Sequence, residues 1–227
     1  MKKAIVILTF NEIEALPQIF DKIPRACADE TFAVDGGSKD GTREFLASKG
    51  IRVLGQERRG RGVAFRTAVA QSDAELLVFF SPDGNEDPAD IPRIFEKLQE
   101  GNDMVIASRM MKGAFNEEDI HWFRLRKWVN QSFTLIANLL WNRASYVSDT
   151  INGFRGVRRS AFDAMGPDAD GFVIEYQMSI RAMKRRLKVV EIPTREGQRL
   201  GGASTAESLP TGIVFIKQLW SELCEKR

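Results

Sequence analysis

The sequence predicts an α/β fold with a mostly parallel, Rossmann-like sheet flanked by helices, and three observations carry that prediction. Short apolar runs alternate with amphipathic segments from residue 3 to residue 110, the order that βαβ units and a parallel sheet require. Three of these runs end abruptly in polar turns: AIVILTF before Asn11-Glu12, TFAVD before Gly36-Gly37, and ELLVFF before Ser81-Pro82-Asp83. The 227 residues are 43% hydrophobic and 28% charged, an ordinary globular composition with enough chain for one domain and a full core.

In chain order, AIVILTF is the first strand and LPQIFDKI the first helix. TFAVD, TREFLAS, IRVLGQ, GVAFRTAVAQ, ELLVFF, DIPRIFEKLQ and DMVIAS then alternate strand with helix. Pro88 and Pro92 flank the start of the helix DIPRIFEKLQ, where proline is tolerated. Met110 to Ile120 has no periodicity and reads as a mobile loop. From Leu125 to Trp141 the apolar residues Leu125, Trp128, Val129, Phe133, Ile136, Leu139 and Leu140 fall at helical spacing. That stripe is expected to pack on the sheet. Contact with a lipid or membrane surface is the alternative, because Arg124, Arg126 and Lys127 flank Trp128.

Residues 149–200 return to α/β character, with a turn at Asn152-Gly153, a helix from Glu175 to Arg186 and the strand LKVVEIP. Arg195 to Ser208, rich in Gly, Ser and Arg, reads as a loop over the site. Thr211 to Leu223 reads as a helix docked on the core. No repeat or linker interrupts the chain, so residues 1–227 are expected to form one domain, with a core over about 3–197 and a C-terminal loop and helix over 198–227.

The net charge of +2 gives no global electrostatic reason to bind nucleic acid. Arg181, Lys184, Arg185, Arg186 and Lys188 form a local basic cluster, expected to be a solvated helix face. Cys27 and Cys224 have neither zinc nor disulfide-framework spacing, which suits a reducing compartment. The N-terminal apolar run is too short for a secretory leader. No run approaches the roughly 18 apolar residues of a spanning helix. A cytoplasmic protein is expected, with peripheral attachment at the inner membrane surface and homo-oligomerisation left open.

The stretch Phe79 to Pro88 carries the most chemistry. A buried strand that delivers Asp83, Asn85, Glu86 and Asp87 to its C-terminal end builds a ligand site in the manner of open α/β sheets. Oxygen ligands so spaced suit a hard divalent cation shared with substrate phosphates. The same residue types also make turns and helix caps, the simpler role for Glu86 and Asp87. Asp35 is able to accept from a base imino group, a ribose hydroxyl or its own Gly36-Gly37 turn.

ILTFNE, VDGGSKDGT, RRGRGVAFRTAV, FFSPDG, IASR, DTINGFRGVRR and GFVIEYQMSIRA, in that order over roughly residues 3–197, resemble the motifs of family 2 glycosyltransferases. The similarity is greatest to the dolichyl- or polyprenyl-phosphate mannose and glucose synthase group. It implies the GT-A nucleotide-diphospho-sugar transferase fold and inverting transfer from a GDP- or UDP-sugar with Mg²⁺ or Mn²⁺. The implied acceptor is a polyprenyl phosphate. A soluble acceptor and a non-catalytic nucleotide-sugar-binding domain are the alternatives. Ser81-Pro82-Asp83 keeps only the second carboxylate of the family's Asp-x-Asp.

By the same resemblance, Asn11, Glu12, Asp35, Arg61 and Gly62 lie beside the nucleotide, with Gly60 and Arg66 in the same segment. Asp83 is the retained metal-binding carboxylate of the motif, and Asn85, two residues on, is a candidate second oxygen ligand for the metal. Asp149 and Arg155 flank the donor sugar and acceptor, with Asp149 a candidate base for a hydroxyl acceptor. A phosphate acceptor is already anionic and needs no base. Arg109, Arg155, Arg195 and Arg199 are then candidate phosphate ligands. Glu175 matches an acidic position that orients the site or pairs with an arginine, and His121 is expected to be uninvolved.

Overall fold

Strict alternation along the first strand decides the architecture. In β1 (Lys3–Thr9), Ala4, Val6 and Leu8 join one apolar cluster while Ile5 and Ile7 join another, so both faces of the sheet are covered, as parallel sheets require. The structure, a computed structural model, describes residues 1–116, 125–201 and 208–224. His121, Arg124 and residues 202–207 of the expected site loop fall outside the described residues, as do the side chains of Leu125 and Arg126.

The remaining elements are α1 (Leu16–Ile19), β2 (Glu30–Asp35), α2 (Thr42–Ser48), β3 (Arg52–Gly55), α3 (Arg61–Gln71), β4 (Leu76–Phe80), α4 (Asp90–Gln99), β5 (Met104–Ser108), α5 (Leu125–Trp141), β6 (Arg155–Arg158), α6 (Arg159–Met165), α7 (Ile174–Lys184), β7 (Val189–Pro193) and α8 (Ser208–Cys224). The strands form one sheet in the order β3-β2-β1-β4-β6-β5-β7. β6 runs antiparallel between β4 and β5, and the other pairings are parallel. The chain winds outward from β1 through β2 to β3, then crosses to β4 on the other side. That reversal makes the β1/β4 crevice a topological switch point, where open α/β sheets bind ligands.

One apolar layer gathers Phe32, Phe65, Phe79 and Tyr176 around α3, α6 and α7, with the Phe65 and Phe79 rings stacked at 3.9 Å. The opposite layer gathers Phe20, Leu46, Ile91, Ile94, Phe95 and Leu98 from α1, α2 and α4.

Four local expectations change. The first helix is a single turn followed by a 3₁₀ turn at Phe20–Lys22, because Pro24 lies just beyond it and disfavours continuation. β6 and α6 were not foreseen as elements. The segment read as a mobile loop is tied down over its described part, with Phe115 N–H donating to Thr194 O at 3.0 Å and Glu196 N–H donating to Phe115 O at 2.9 Å.

The fourth change concerns α5 and α8. The buried face of α5 contains Thr134, Ala137 and Asn138, while Trp128, Val129, Leu135, Leu139 and Leu140 are exposed. Thr134 and Thr150 hydroxyls bond at 2.8 Å, and Asn138 serves the Val147 backbone on both sides, so the polar pair is satisfied inside. α8 buries Phe215 and Glu222 and exposes Ile213, Val214, Ile216, Trp220 and Leu223. The two helices adjoin, with Phe133 and Phe215 rings 5.3 Å apart. No helix among the described residues is long and apolar enough to cross a membrane.

Candidate functional site

Parallel pairing aligns the ends of β2, β1 and β4, so their three polar turns share one edge of the sheet. After β4, Asp83 folds back as its own turn acceptor: Asn85 N–H donates to Asp83 Oδ1 at 3.0 Å. Its other oxygen accepts from Arg199 Nη2 at 2.7 Å, and the same nitrogen lies 3.5 Å from Glu12 Oε1. Arg199 is brought there by residues 197–200, which are laced across the turn by Gly197 N–H to Asn85 O and Leu200 N–H to Asp83 O, both 2.9 Å. Asp83, Glu12 and Arg199 therefore form one cluster at the switch point.

Two carboxyls near Asp83 are raised far above the ordinary range. Burial, reinforced by Asp83, raises Glu12 to about 7. Burial likewise raises Glu86 to about 8 against the pull of Arg61, with Asp83 pushing it further up. Glu86 was read as a helix-cap residue. Instead, its carboxylate turns inward and accepts the Ser81 N–H at 2.7 Å, and Asp87 takes the local turn by accepting from Ala89 N–H at 3.0 Å. Glu86 thus places an acid beside the position where Ser81 lacks one. The sequence hinted at this only through the density of acids in Asp83 to Asp87.

At the neighbouring turn, Asp35 is buried with both oxygens engaged. Oδ1 accepts from Gly37 N–H and Ser38 N–H at 3.0 and 2.9 Å, and Oδ2 accepts from the Thr9 hydroxyl at 3.1 Å and the Ser38 hydroxyl. The turn-acceptor role is therefore built. Asn11, at φ 55°, clasps the same turn: its N–H donates to Ser38 Oγ at 2.8 Å and its Oδ1 accepts from Lys39 N–H at 3.0 Å.

A family model described as glycosyl transferase family 2 matches residues 4–166. The chain belongs to that family. Among curated proteins it is 32% identical to glycosyltransferase AglJ of Haloferax volcanii, over 94% of this chain and 70% of that one. It is 30% identical to a dolichyl-phosphate hexose transferase of the same organism, over 87% and 84%. It is 26% identical to a dolichol-phosphate mannosyltransferase of Pyrococcus furiosus, over 90% of this chain and 59% of that longer one. Among solved structures, glucosyl-3-phosphoglycerate synthase from Mycobacterium tuberculosis in complex with Mn²⁺ and UDP-glucose superposes with a TM-score of 0.79 at 21% identity. All of this chain and 80% of that one are covered. The shared fold is GT-A.

In this family 2 glycosyltransferase several expected ligand contacts are taken up within the protein. Gly62 was expected beside the nucleotide. Its N–H donates to Asp170 O at 2.8 Å, and a Cβ there would stand 1.8 Å from Ala169 O, so glycine is needed for backbone packing. Arg66 also turns to this strap, donating to Ala169 O at 2.7 Å and pairing with Asp170. Arg61 pairs with Glu175 and donates to Ser81 Oγ at 3.1 Å. Gly153 makes room for that guanidinium, since a Cβ there would lie 1.9 Å from Arg61 Nη2.

Three further expected site residues are likewise engaged by protein groups. Arg109 is buried between Asp149 and Glu196, donating from Nε and Nη2 to Asp149 at 2.8 and 3.1 Å and from Nη1 to Glu196 at 3.0 Å. It braces these two carboxylates against each other. Burial alone would raise Asp149, but Arg109 holds its carboxyl below the usual range, which makes it a poor proton acceptor. Arg155 is fully buried and donates to the carbonyls of Asn152, Glu175 and Thr150. Burial pushes its guanidinium down to about 10, and it has no free edge for an acceptor. Arg195 is exposed, with its guanidinium 5.7 Å from the Phe115 ring centre.

Among the described residues no three Asp, Glu, His or Cys side chains converge as a ready cation cage. What the turn offers is the Asp83 carboxylate and Asn85 Oδ1, a buried oxygen with no hydrogen-bond partner. One carboxylate and one unsatisfied amide oxygen suit a Mg²⁺-type ion that takes its remaining ligands from phosphate and water. The group fits this turn.

Proposed function

We propose that residues 1–227 act as one catalytic unit that transfers a sugar, with inversion, from a nucleoside diphosphate sugar to a polyprenyl phosphate. The observation that carries this reading is the switch-point cluster, in which Asp83, Glu12 and Arg199 meet where the fold binds ligands, with the orphaned Asn85 Oδ1 on the same turn. The acceptor class is supported by the polyprenyl-phosphate transferases among the relatives. A phosphate acceptor also agrees with a site whose candidate base, Asp149, is locked by Arg109, because an anionic oxygen attacks without losing a proton.

In the reaction a phosphate oxygen of the acceptor bonds to the anomeric carbon as the bond from that carbon to the donor diphosphate breaks. Asp83 and Asn85 would hold Mg²⁺ or Mn²⁺, which supplies charge compensation for the leaving diphosphate. Arg199 provides a second cation at the same edge, on the segment that crosses the Asp83 turn. Asp35 and Asn11 fix the turn against which the nucleoside rests, and Arg61 with Glu175 and Ser81 braces the floor. The exposed apolar faces of α5 and α8 would meet a membrane surface, where a lipid-linked acceptor resides.

The test is a calorimetric donor screen with UDP-, GDP- and TDP-sugars, with and without Mn²⁺, followed by transfer assays on a polyprenyl phosphate and on water-soluble acceptors. Metal-dependent binding of one donor and turnover on the lipid acceptor are expected. Turnover confined to soluble acceptors would move the chain to that class, and no nucleotide binding under any condition would overturn the reading.

A further inference from the structure

The basic cluster noted in the sequence is not absorbed by the transfer site, and the structure places part of it around a cavity. Parallel pairing of β7 with β5, and antiparallel pairing of β6 with both β5 and β4, put Val189 at the opposite edge of the sheet from Asp83. There, beyond the C-terminal ends of α5 and α7, lies a cavity of about 290 Å³ lined by Arg143, Arg186, Met183, Leu187, Val147 and Val189. A second cavity of about 380 Å³ adjoins it, shares both arginines and is walled by Trp141. Among the described residues neither Arg143 nor Arg186 has a carboxylate partner, and Arg143 bonds only to the Asn142 carbonyl.

The backbone at Arg186 supplies an independent observation. α7 ends in a Schellman motif, with Arg186 N–H donating to Met183 O at 3.1 Å and Leu187 N–H donating to Ala182 O at 3.0 Å. The residue after the cap of such a motif takes the left-handed conformation and is usually glycine. Here it is Arg186, at φ 55°. A cation near a helix C-terminus offsets the helix dipole, but Arg185 already supplies that charge. The strained arginine is left to be explained by what its guanidinium faces.

We propose that this cavity binds the phosphate group of an amphiphile. Arg143 and Arg186 are the charge-assisted donors, while Met183, Leu187, Val147 and Val189 receive its apolar part. The exposed Leu139 and Leu140 of α5 continue the apolar surface towards Arg143. The same chemistry is presented by a phospholipid headgroup in a bilayer and by a soluble phosphate monoester. This inference does not rest on the proposed transfer reaction.

The test titrates the full chain with glycerol phosphate in solution, and separately with phosphatidylcholine vesicles with and without phosphatidylglycerol. The variants are Arg186→Gly, Arg143→Gln and Arg185→Gln, the last removing the same charge from a position that lines neither cavity. Arg186→Gly relieves the left-handed strain and is expected to melt at or above the wild-type temperature, so loss of binding is not loss of fold. Arg186→Gly and Arg143→Gln should each weaken binding about fivefold in the arm that carries the ligand, with Arg185→Gln close to wild type. Donor-sugar affinity should stay unchanged in all three, which separates this site from the transfer site. A response confined to anionic vesicles identifies the lipid source, and saturable binding of glycerol phosphate identifies the soluble one. No Arg186-dependent binding in either arm, or an equal loss in Arg185→Gln, would overturn the proposal.

Discussion

Asp83 and Asp149 are both buried aspartates beside an arginine, yet their surroundings assign them different work. Asp83 follows a strand, is bonded by its own turn and by Arg199 of the segment laced across that turn, and neighbours an unsatisfied amide oxygen. Asp83→Asn keeps the turn and removes the charge, so kcat/KM should fall by about 10²-fold or more while the melting temperature holds. Activity within a few-fold of wild type would show that any metal is held elsewhere. Asp149 is clamped by three donors of Arg109, two on its guanidinium and one on its backbone, and by the Asn152 N–H at 3.1 Å. Removing it leaves a buried guanidinium with Glu196 as its remaining carboxylate, and Asp149→Ala should cost about 3 kcal/mol of unfolding free energy in a denaturant titration. A stable Asp149→Ala variant that is inactive only towards acceptor would restore Asp149 as a catalytic group.

At the scale of elements, α5 and α8 show how a stripe is read correctly and its partner wrongly. The apolar spacing places the helix Leu125–Trp141 with the limits the structure has. It does not reveal that Thr134 and Asn138 would find partners inside and turn Trp128, Leu135 and Leu139 outward. Together with Ile213, Ile216 and Trp220 of α8 these residues form an exposed apolar surface of the kind that marks an interaction site. Trp128→Glu and Trp220→Glu should each reduce pelleting with anionic liposomes and transfer to a polyprenyl phosphate, leaving thermal stability and donor binding unchanged. Wild-type transfer to the lipid acceptor by both variants would remove these helices from acceptor delivery.

For the molecule as a whole, the acidic cluster at the switch point makes ligand-free stability depend on pH. Glu86 and Glu12 have ordinary values near 4.5, raised in the fold to about 8 and about 7. The folded state thus binds their protons more tightly than the unfolded chain does. Their contribution is complete below about pH 4.5 and is lost as pH rises through about 7 to 8. Unfolding free energy of the metal-free protein should decline across that window, and Glu86→Gln, which mimics the protonated side chain, should flatten the decline. A variant with the wild-type slope would show that Glu86 titrates normally.

The sequence by itself determined the strand-helix order and the placement of Asn11, Asp35 and Asp83 on one edge. Apolar alternation fixes which residues face the layers, and parallel pairing then aligns the strand ends. It also located Asp83 and Asn85 as the oxygens of the β4 turn, since a turn immediately after a buried strand leaves its side chains little choice. Only the tertiary structure decided where the arginines go. Arg61, Arg109 and Arg155 are long, flexible side chains whose partners Glu175, Asp149 and the carbonyls near Asn152 lie on other elements or across turns, and local pattern carries no information about such pairings. Gly62 and Gly153 are explained in the same way, by a backbone strap at Ala169-Asp170 and a guanidinium that approach from distant parts of the chain. The left-handed Arg186 was equally hidden, because its meaning depends on a cavity assembled from the ends of α5, α7 and β7.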